Sequence, residues 1–154
     1  MKKNNKIIIL ILIHIIFTHT LLNGEKMFLN NADSFKNIIP PDTYLFLVGN
    51  NKYSNSIFFK DLQYCWNDVL LMEKLFHKCC KIPGTNIYTY LDISFEVLMK
   101  EWNAFISRID RNSLVIIYFS SHGRKDGSVV LSDNTSFTPA LMREMVNGIH
   151  HDTV

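Results

Sequence analysis

Three runs along the chain read as strands, the first and last of them apolar at consecutive positions instead of alternate ones. They are Thr43-Tyr44-Leu45-Phe46-Leu47-Val48-Gly49, Asn86-Ile87-Tyr88-Thr89-Tyr90-Leu91 and Leu114-Val115-Ile116-Ile117-Tyr118-Phe119. Strands apolar on both faces belong to a sheet covered on both sides, the usual condition of a parallel sheet. The run 114–119 predicts a central strand. Between the runs the period changes. Leu62, Cys65, Val69, Met72, Phe76 and Cys79 recur three and four residues apart, as do Leu98, Trp102, Phe105, Ile106 and Ile109; each set makes one apolar stripe of a helix. Asp61 is placed as the cap of the first helix, and Ser94 as that of the second, with Glu96 in its first turn. Asn50 to Asn55 is a loop rich in turn formers, and Pro83-Gly84 closes the first helix. After the third strand, Lys125-Asp126-Gly127 reads as a turn and Ser128 to Leu131 as a short hairpin piece. Thr138-Pro139 starts a last helix that Gly148 stops. The alternation predicts an α/β fold, a mainly parallel sheet with helices on both faces. With only two other main strands to cover the third, one sheet edge is expected to be open.

Composition adds the context. The chain has 154 residues, 47% of them hydrophobic and 19% charged, which suits one domain with a packed core. A net charge of +2 gives no electrostatic case for a nucleic-acid partner. Lys2, Lys3 and Lys6 precede an apolar stretch from Ile7 to Leu22 broken by His14, Thr18, His19 and Thr20. It is shorter than the roughly 20 apolar residues of a spanning helix, so residues 1–24 read as a signal peptide. That implies the secretory pathway or the extracellular space; the alternative is an uncleaved membrane anchor. Residues 25–41 read as a linker and 42–154 as the domain.

The three cysteines are Cys65, Cys79 and Cys80. On one helix Cys65 and Cys79 would be about 21 Å apart, too far to pair, and a bridge between neighbours is strained. No disulfide framework follows. Asn134-Thr135-Ser136 is a glycosylation sequon, weak support for secretion.

The chemistry gathers after the third strand. Ser120-Ser121-His122-Gly123 stands at its carboxyl end, where open α/β sheets place their ligand crevice. His122 is suited there to general-base work, and the Gly123 amide to an oxyanion hole. Ser120 and Ser121 are poor candidates for a nucleophile. Ser121 points to the opposite face from His122, and Ser120, two positions away, is too distant for a good hydrogen bond. Cys65 has two readings, a reactive thiol in the first turn of a helix or a small buried core residue. Asp68 lies on the same helix face and lacks a cationic neighbour in the sequence, which suggests a basic ligand. His150-His151 has no metal-ligand spacing and reads as exposed tail.

The ordered set Leu47-Val48-Gly49-Asn50-Asn51-Lys52-Tyr53, Leu62-Gln63-Tyr64-Cys65-Trp66-Asn67-Asp68-Val69 and Ile116-Ile117-Tyr118-Phe119-Ser120-Ser121-His122-Gly123 resembles the caspase-like domain of clan CD cysteine peptidases, peptidase C14. The match is closest to metacaspases and paracaspases and covers Thr43 to Gly148, the larger-subunit (p20) part. The resemblance implies a three-layer caspase-like fold and a Cys/His dyad in which His122 is the catalytic histidine and Gly123 the oxyanion backbone. It implies that Cys65, Asp68 and Ser120 line a pocket for a basic side chain, with cleavage of a peptide or protein after Arg or Lys. The family has glycine where Ser121 stands, and an Asp-x-Cys step on a further strand. No such step occurs before Val154, so the expectation is a fold incomplete at its C-terminus, inactive alone and awaiting a C-terminal subunit. No cofactor is expected; the calcium-binding carboxylates of some metacaspases would also fall beyond this chain. A non-catalytic homologue binding peptides or partner subunits is the alternative. Secreted legumain-type peptidases share the fold and the His-Gly step, but Cys65-Trp66-Asn67-Asp68 argues against them.

Overall fold

A computed structural model describes residues 39–40, 42–54, 57–109 and 113–149. Residues 1–24, read above as a signal peptide, most of the expected linker and the His150-His151 pair lie outside these residues. Strand β1 (Thr43–Gly49) leads to helix α1 (Cys65–Lys78), a single 3₁₀ turn (Gly84–Asn86) and β2 (Ile87–Leu91). Helix α2 (Phe95–Ile106) and β3 (Leu114–Ser120) follow. A short hairpin, β4 (Val129–Val130) and β5 (Ser136–Phe137), then precedes helix α3 (Pro139–Gly148).

The three long strands form one parallel sheet in the order β2-β1-β3. The central strand is therefore β1 and not 114–119, because the chain leaves β2, crosses behind β1 and returns on its other side. Among the described residues β3 has a strand neighbour on one side only, yet Ile117 is 2% exposed. Helices cover both of its faces, and this burial, not a central place, explains its unbroken apolar run.

Alternation sorts the core into two layers. Phe46 and Val48 of β1, with Val115, Ile117 and Phe119 of β3, face Leu98, Trp102 and Phe105 of α2 and Met142 and Met145 of α3. Leu45 and Leu47, with Ile116 and Tyr118, face Val69 and Phe76 of α1. Phe46 anchors the first layer. Trp102 and Phe105 stand edge-on to it at 5.2 and 5.1 Å between ring centroids, the arrangement aromatic quadrupoles favour. Ser94 accepts from the Val97 amide, so the expected cap of α2 forms, and Thr138, at the expected start of α3, accepts from the Leu141 amide. Gly148 is the last helical residue of α3 rather than the residue beyond it.

The order β2-β1-β3 has a functional consequence. From β1 the chain moves one way to β2 and the other way to β3, so the topological switch lies between β1 and β3. Ligand crevices of open α/β sheets form at the carboxyl ends of such a pair. Gly49 ends β1 there, and the first turn of α1 rests on it. A Cβ at this position would stand 2.7 Å from the Cys65 carbonyl oxygen and 2.8 Å from a Val69 methyl. Glycine is needed for the close approach, since helix backbone cannot yield as a side-chain tip can. Gly49→Ala is expected to lower stability by about 1–3 kcal/mol, as overpacking does. A urea unfolding midpoint unchanged from the parent would contradict this.

Candidate active site

Two asparagines follow β1, and their side chains tie the strand ends together. The Asn50 amide donates to the Ser120 carbonyl at 2.9 Å. Its side-chain oxygen accepts from the Ile93 amide at 2.9 Å, and its side-chain nitrogen donates to the Val130 carbonyl at 3.4 Å. Asn51 Oδ1 accepts the Cys65 amide at 2.9 Å and so satisfies the first exposed amide of α1. Beside them Asp92 Oδ1 accepts from the amides of Asn51 and Lys52, at 2.7 and 2.9 Å, and from the Trp66 indole at 3.1 Å. Asp92 has a left-handed backbone, φ 54°, which aspartate tolerates better than most residues.

Asp61 is not the helix cap. Helix α1 starts at Cys65, and Tyr64 at the cap position makes no side-chain hydrogen bond. Asp61 instead closes the preceding loop on itself: Oδ1 accepts the Tyr53 amide at 3.1 Å and Oδ2 pairs with Lys52 Nζ at 2.7 Å. The helix amide is served by Asn51, 14 residues earlier in the chain, a partner that a local capping pattern cannot reveal.

His122 sits in the loop just after β3. Its Nε2 lies 2.7 Å from the Lys60 carbonyl oxygen. A carbonyl only accepts, so Nε2 carries the proton and Nδ1 of the neutral ring keeps its lone pair. The ring is held on its sides by Tyr53 and Phe59, at 4.9 and 5.3 Å between centroids. The Arg124 guanidinium lies 4.9 Å over the outer ring, that of Phe59. The His122 amide donates to the Tyr53 phenol oxygen at 3.0 Å. Gly123 faces Val129 in an isolated antiparallel bridge. The bonds flanking that bridge run from the Arg124 amide to Ser128 and from the Val130 amide to the His122 carbonyl. The ladder leaves the exposed Gly123 amide unused.

Cys65, Asp68 and Ser120 form a second cluster on the α1 side of the sheet. Ser120, 1% exposed, donates its hydroxyl to Asp68 Oδ2 at 2.8 Å. Among the described residues, Asp68 has a hydroxyl partner rather than a cation. Tyr118 belongs to the same cluster. Its phenol is pushed up to about 12, first by burial and then by the Asp68 charge. The Cys65 thiol is also raised, mainly by burial; the Ser120 hydroxyl opposes this and Asp68 adds to it. Of the two readings of Cys65, the small buried core residue is the one the geometry supports, since the residue is 7% exposed. All three cysteines are free and buried. Among the described residues no cysteine is hydrogen-bonded to His122, and no group of His, Cys, Asp or Glu is arranged to hold a metal. Ser121 spends its hydroxyl on the His122 carbonyl, 3.0 Å away, so neither serine serves as a nucleophile for the imidazole.

Sequence reasoning did not find Tyr53, Phe59, the Lys60 carbonyl, Tyr118 or the roles of Asn50, Asn51 and Asp92. The one local signal was the pair of asparagines after a fully apolar strand, which turn statistics alone make unremarkable.

The loop closure carries a pH dependence. Lys52 and then the Tyr53 amide hold the Asp61 carboxyl below its ordinary value of 3.8. A carboxyl lowered by folding stabilises the fold above its unfolded pKa, and the contribution fades as pH falls through the lower folded value. The melting temperature of the parent is therefore expected to exceed that of Asp61→Asn near neutral pH, with the gap closing below about pH 4. A gap that persists unchanged into acid would contradict the role of the charge. The raised, buried Cys65 thiol carries a second prediction: under native conditions it reacts with iodoacetamide far more slowly than in denaturant. Mass spectrometry of labelled Cys65 decides this, and equal rates would refute the burial.

No curated protein matches the chain significantly. A family model for the caspase domain of the peptidase C14 family matches residues 43–152, which span β1 through α3 and both side-chain clusters, and the chain therefore belongs to that family.

Proposed function

We propose that this domain supplies the histidine and the substrate pocket of a metacaspase-like cysteine endopeptidase that cleaves after arginine or lysine. The observation that carries the reading is the pairing of Asp68 with Ser120 at the carboxyl end of β3, a carboxylate with one oxygen fixed by a hydroxyl at 2.8 Å and the other left over. A substrate guanidinium or ammonium would dock on that free oxygen. Pairing a charge with a charge-assisted hydrogen bond is what makes such burial favourable.

His122 is the base in this reading. Its Nδ1 takes the proton of a cysteine thiol while Nε2–H stays on the Lys60 carbonyl. The thiolate sulfur bonds to the scissile carbonyl carbon, and the oxygen that becomes negative takes a hydrogen bond from the Gly123 amide. The imidazolium returns its proton from Nδ1 to the leaving amine. In this reading the sulfur is none of Cys65, Cys79 and Cys80, since all three are buried and, among the described residues, none is hydrogen-bonded to His122.

Isothermal titration with short peptides tests the pocket. Peptides ending in arginine or lysine are expected to bind, those ending in aspartate are not, and Asp68→Asn is expected to weaken binding by roughly ten- to a hundredfold, the loss of about 1.5–3 kcal/mol for a charged hydrogen bond. Equal binding of acidic and basic peptides would refute the assignment. Turnover of arginyl peptides by the chain alone, abolished by Cys65→Ser but not at His122, would replace it with a Cys65 nucleophile.

A further inference from the structure

Tyr53 is fixed from several directions while itself being almost buried, at 7% exposure. Its phenol donates to the Asn50 carbonyl at 3.0 Å and accepts from the His122 amide at 3.0 Å. Its own amide is held by Asp61 at 3.1 Å. Its ring lies 4.9 Å from the imidazole and 6.1 Å from Phe59. One side chain thus joins the end of β1 to the loop after β3, 69 residues later. Burial pushes the phenol well above its ordinary value, so the hydroxyl stays protonated and keeps donating to Asn50 while its lone pair receives His122.

Among the described residues, the contacts of the imidazole itself leave its rotation under-determined. The Lys60 carbonyl fixes one nitrogen, and two aromatic neighbours limit tilt, but Lys60 is exposed and Phe59 only half-buried. The main chain of His122 must be held for Nε2 to meet that carbonyl. Two buried groups hold it from other elements: the Val130 amide donates to the His122 carbonyl at 2.9 Å, and the Tyr53 phenol, the one side chain of the two, receives the His122 amide at 3.0 Å.

We propose that the Tyr53 hydroxyl is the positioning group for His122, holding its backbone so that Nε2–H stays on the Lys60 carbonyl and Nδ1 stays free. This deepens the reading of His122 as the base. A phenylalanine would keep the ring and lose the bridge, leaving the Asn50 carbonyl and the His122 amide unpaired. Because the phenol oxygen consumes the His122 amide, that amide is also unavailable to a substrate oxyanion, and Gly123 is the donor left at this corner.

The test is ¹⁵N nuclear magnetic resonance of the whole chain, parent and Tyr53→Phe, at a pH where the imidazole is neutral. In the parent, His122 should show a protonated Nε2 whose hydrogen exchanges slowly, and an unprotonated Nδ1. In Tyr53→Phe the Nε2 hydrogen should exchange at least about tenfold faster, the loss expected for one hydrogen bond, and both ring nitrogens should shift toward the averaged values of a free imidazole. A tyrosine that served only packing would lower the melting temperature and leave these signals in place; that result overturns the proposal. If Tyr53→Phe does not fold, amide exchange in the parent decides: protection of the His122 amide about tenfold or more above that of Gly123 supports the bridge, and equal exchange overturns it. Both readouts concern His122 alone. A chain that shows them yet binds no arginyl peptide sinks the peptidase reading and leaves the role of Tyr53 standing.

Discussion

One oxygen atom organises the carboxyl end of this sheet. Asp92 Oδ1 collects the amides of Asn51 and Lys52 and the indole of Trp66. It thereby fixes where the chain goes on leaving β1, and everything at the site hangs on that path. With the 51–52 amides in place, the Asn51 side chain meets the first amide of α1, and Tyr53 reaches across to His122. An anion is the natural partner for several converging N–H groups, since bonds to a charged acceptor are stronger than neutral ones. The positive φ of Asp92 is the conformational cost of that convergence, tolerated because its own amide also bonds to the Gly49 carbonyl at 2.9 Å.

The fold was legible in the sequence because its signals are local. Consecutive apolar residues at 43–49 and 114–119 report burial on both faces, and that burial is present. The same signal could not report sheet order. Phe119 is buried by Phe137 and the helices whether or not a strand lies on each side, so an edge strand under two helix layers reads like a central one. Ser94 was readable as a cap, and Thr138 as a helix start, because each acts within three residues. Asp61 was misread because a carboxylate ahead of a helix looks the same when its partners are Lys52 and Tyr53.

The site divides along the same line. His122, Gly123, Cys65, Asp68 and Ser120 stood out by their place after apolar strands and on a helix face, aided by the family resemblance. The groups that orient them were invisible. Lys60 acts through its carbonyl, which every residue has. Tyr53 acts across 69 positions, and Tyr118 looks like one more aromatic in an apolar strand until Asp68 is placed beside it. Backbone acceptors and long-range phenol bridges leave no mark on composition or period.

The cluster around Asp68 has an electrostatic logic that bears on its ligand. Three acids lie together there: a carboxyl, a thiol and a phenol. Burial raises both weaker acids, and the charge on Asp68 raises them further. Ionising either of them is disfavoured, because each further charge would be desolvated and repelled at once. The corner therefore sets one carboxyl group among polar neighbours that resist ionising, with Ser120 steadying one oxygen. In the reading proposed above, the ligand suited to this corner is a single cation with N–H donors, such as the end of an arginine or lysine side chain.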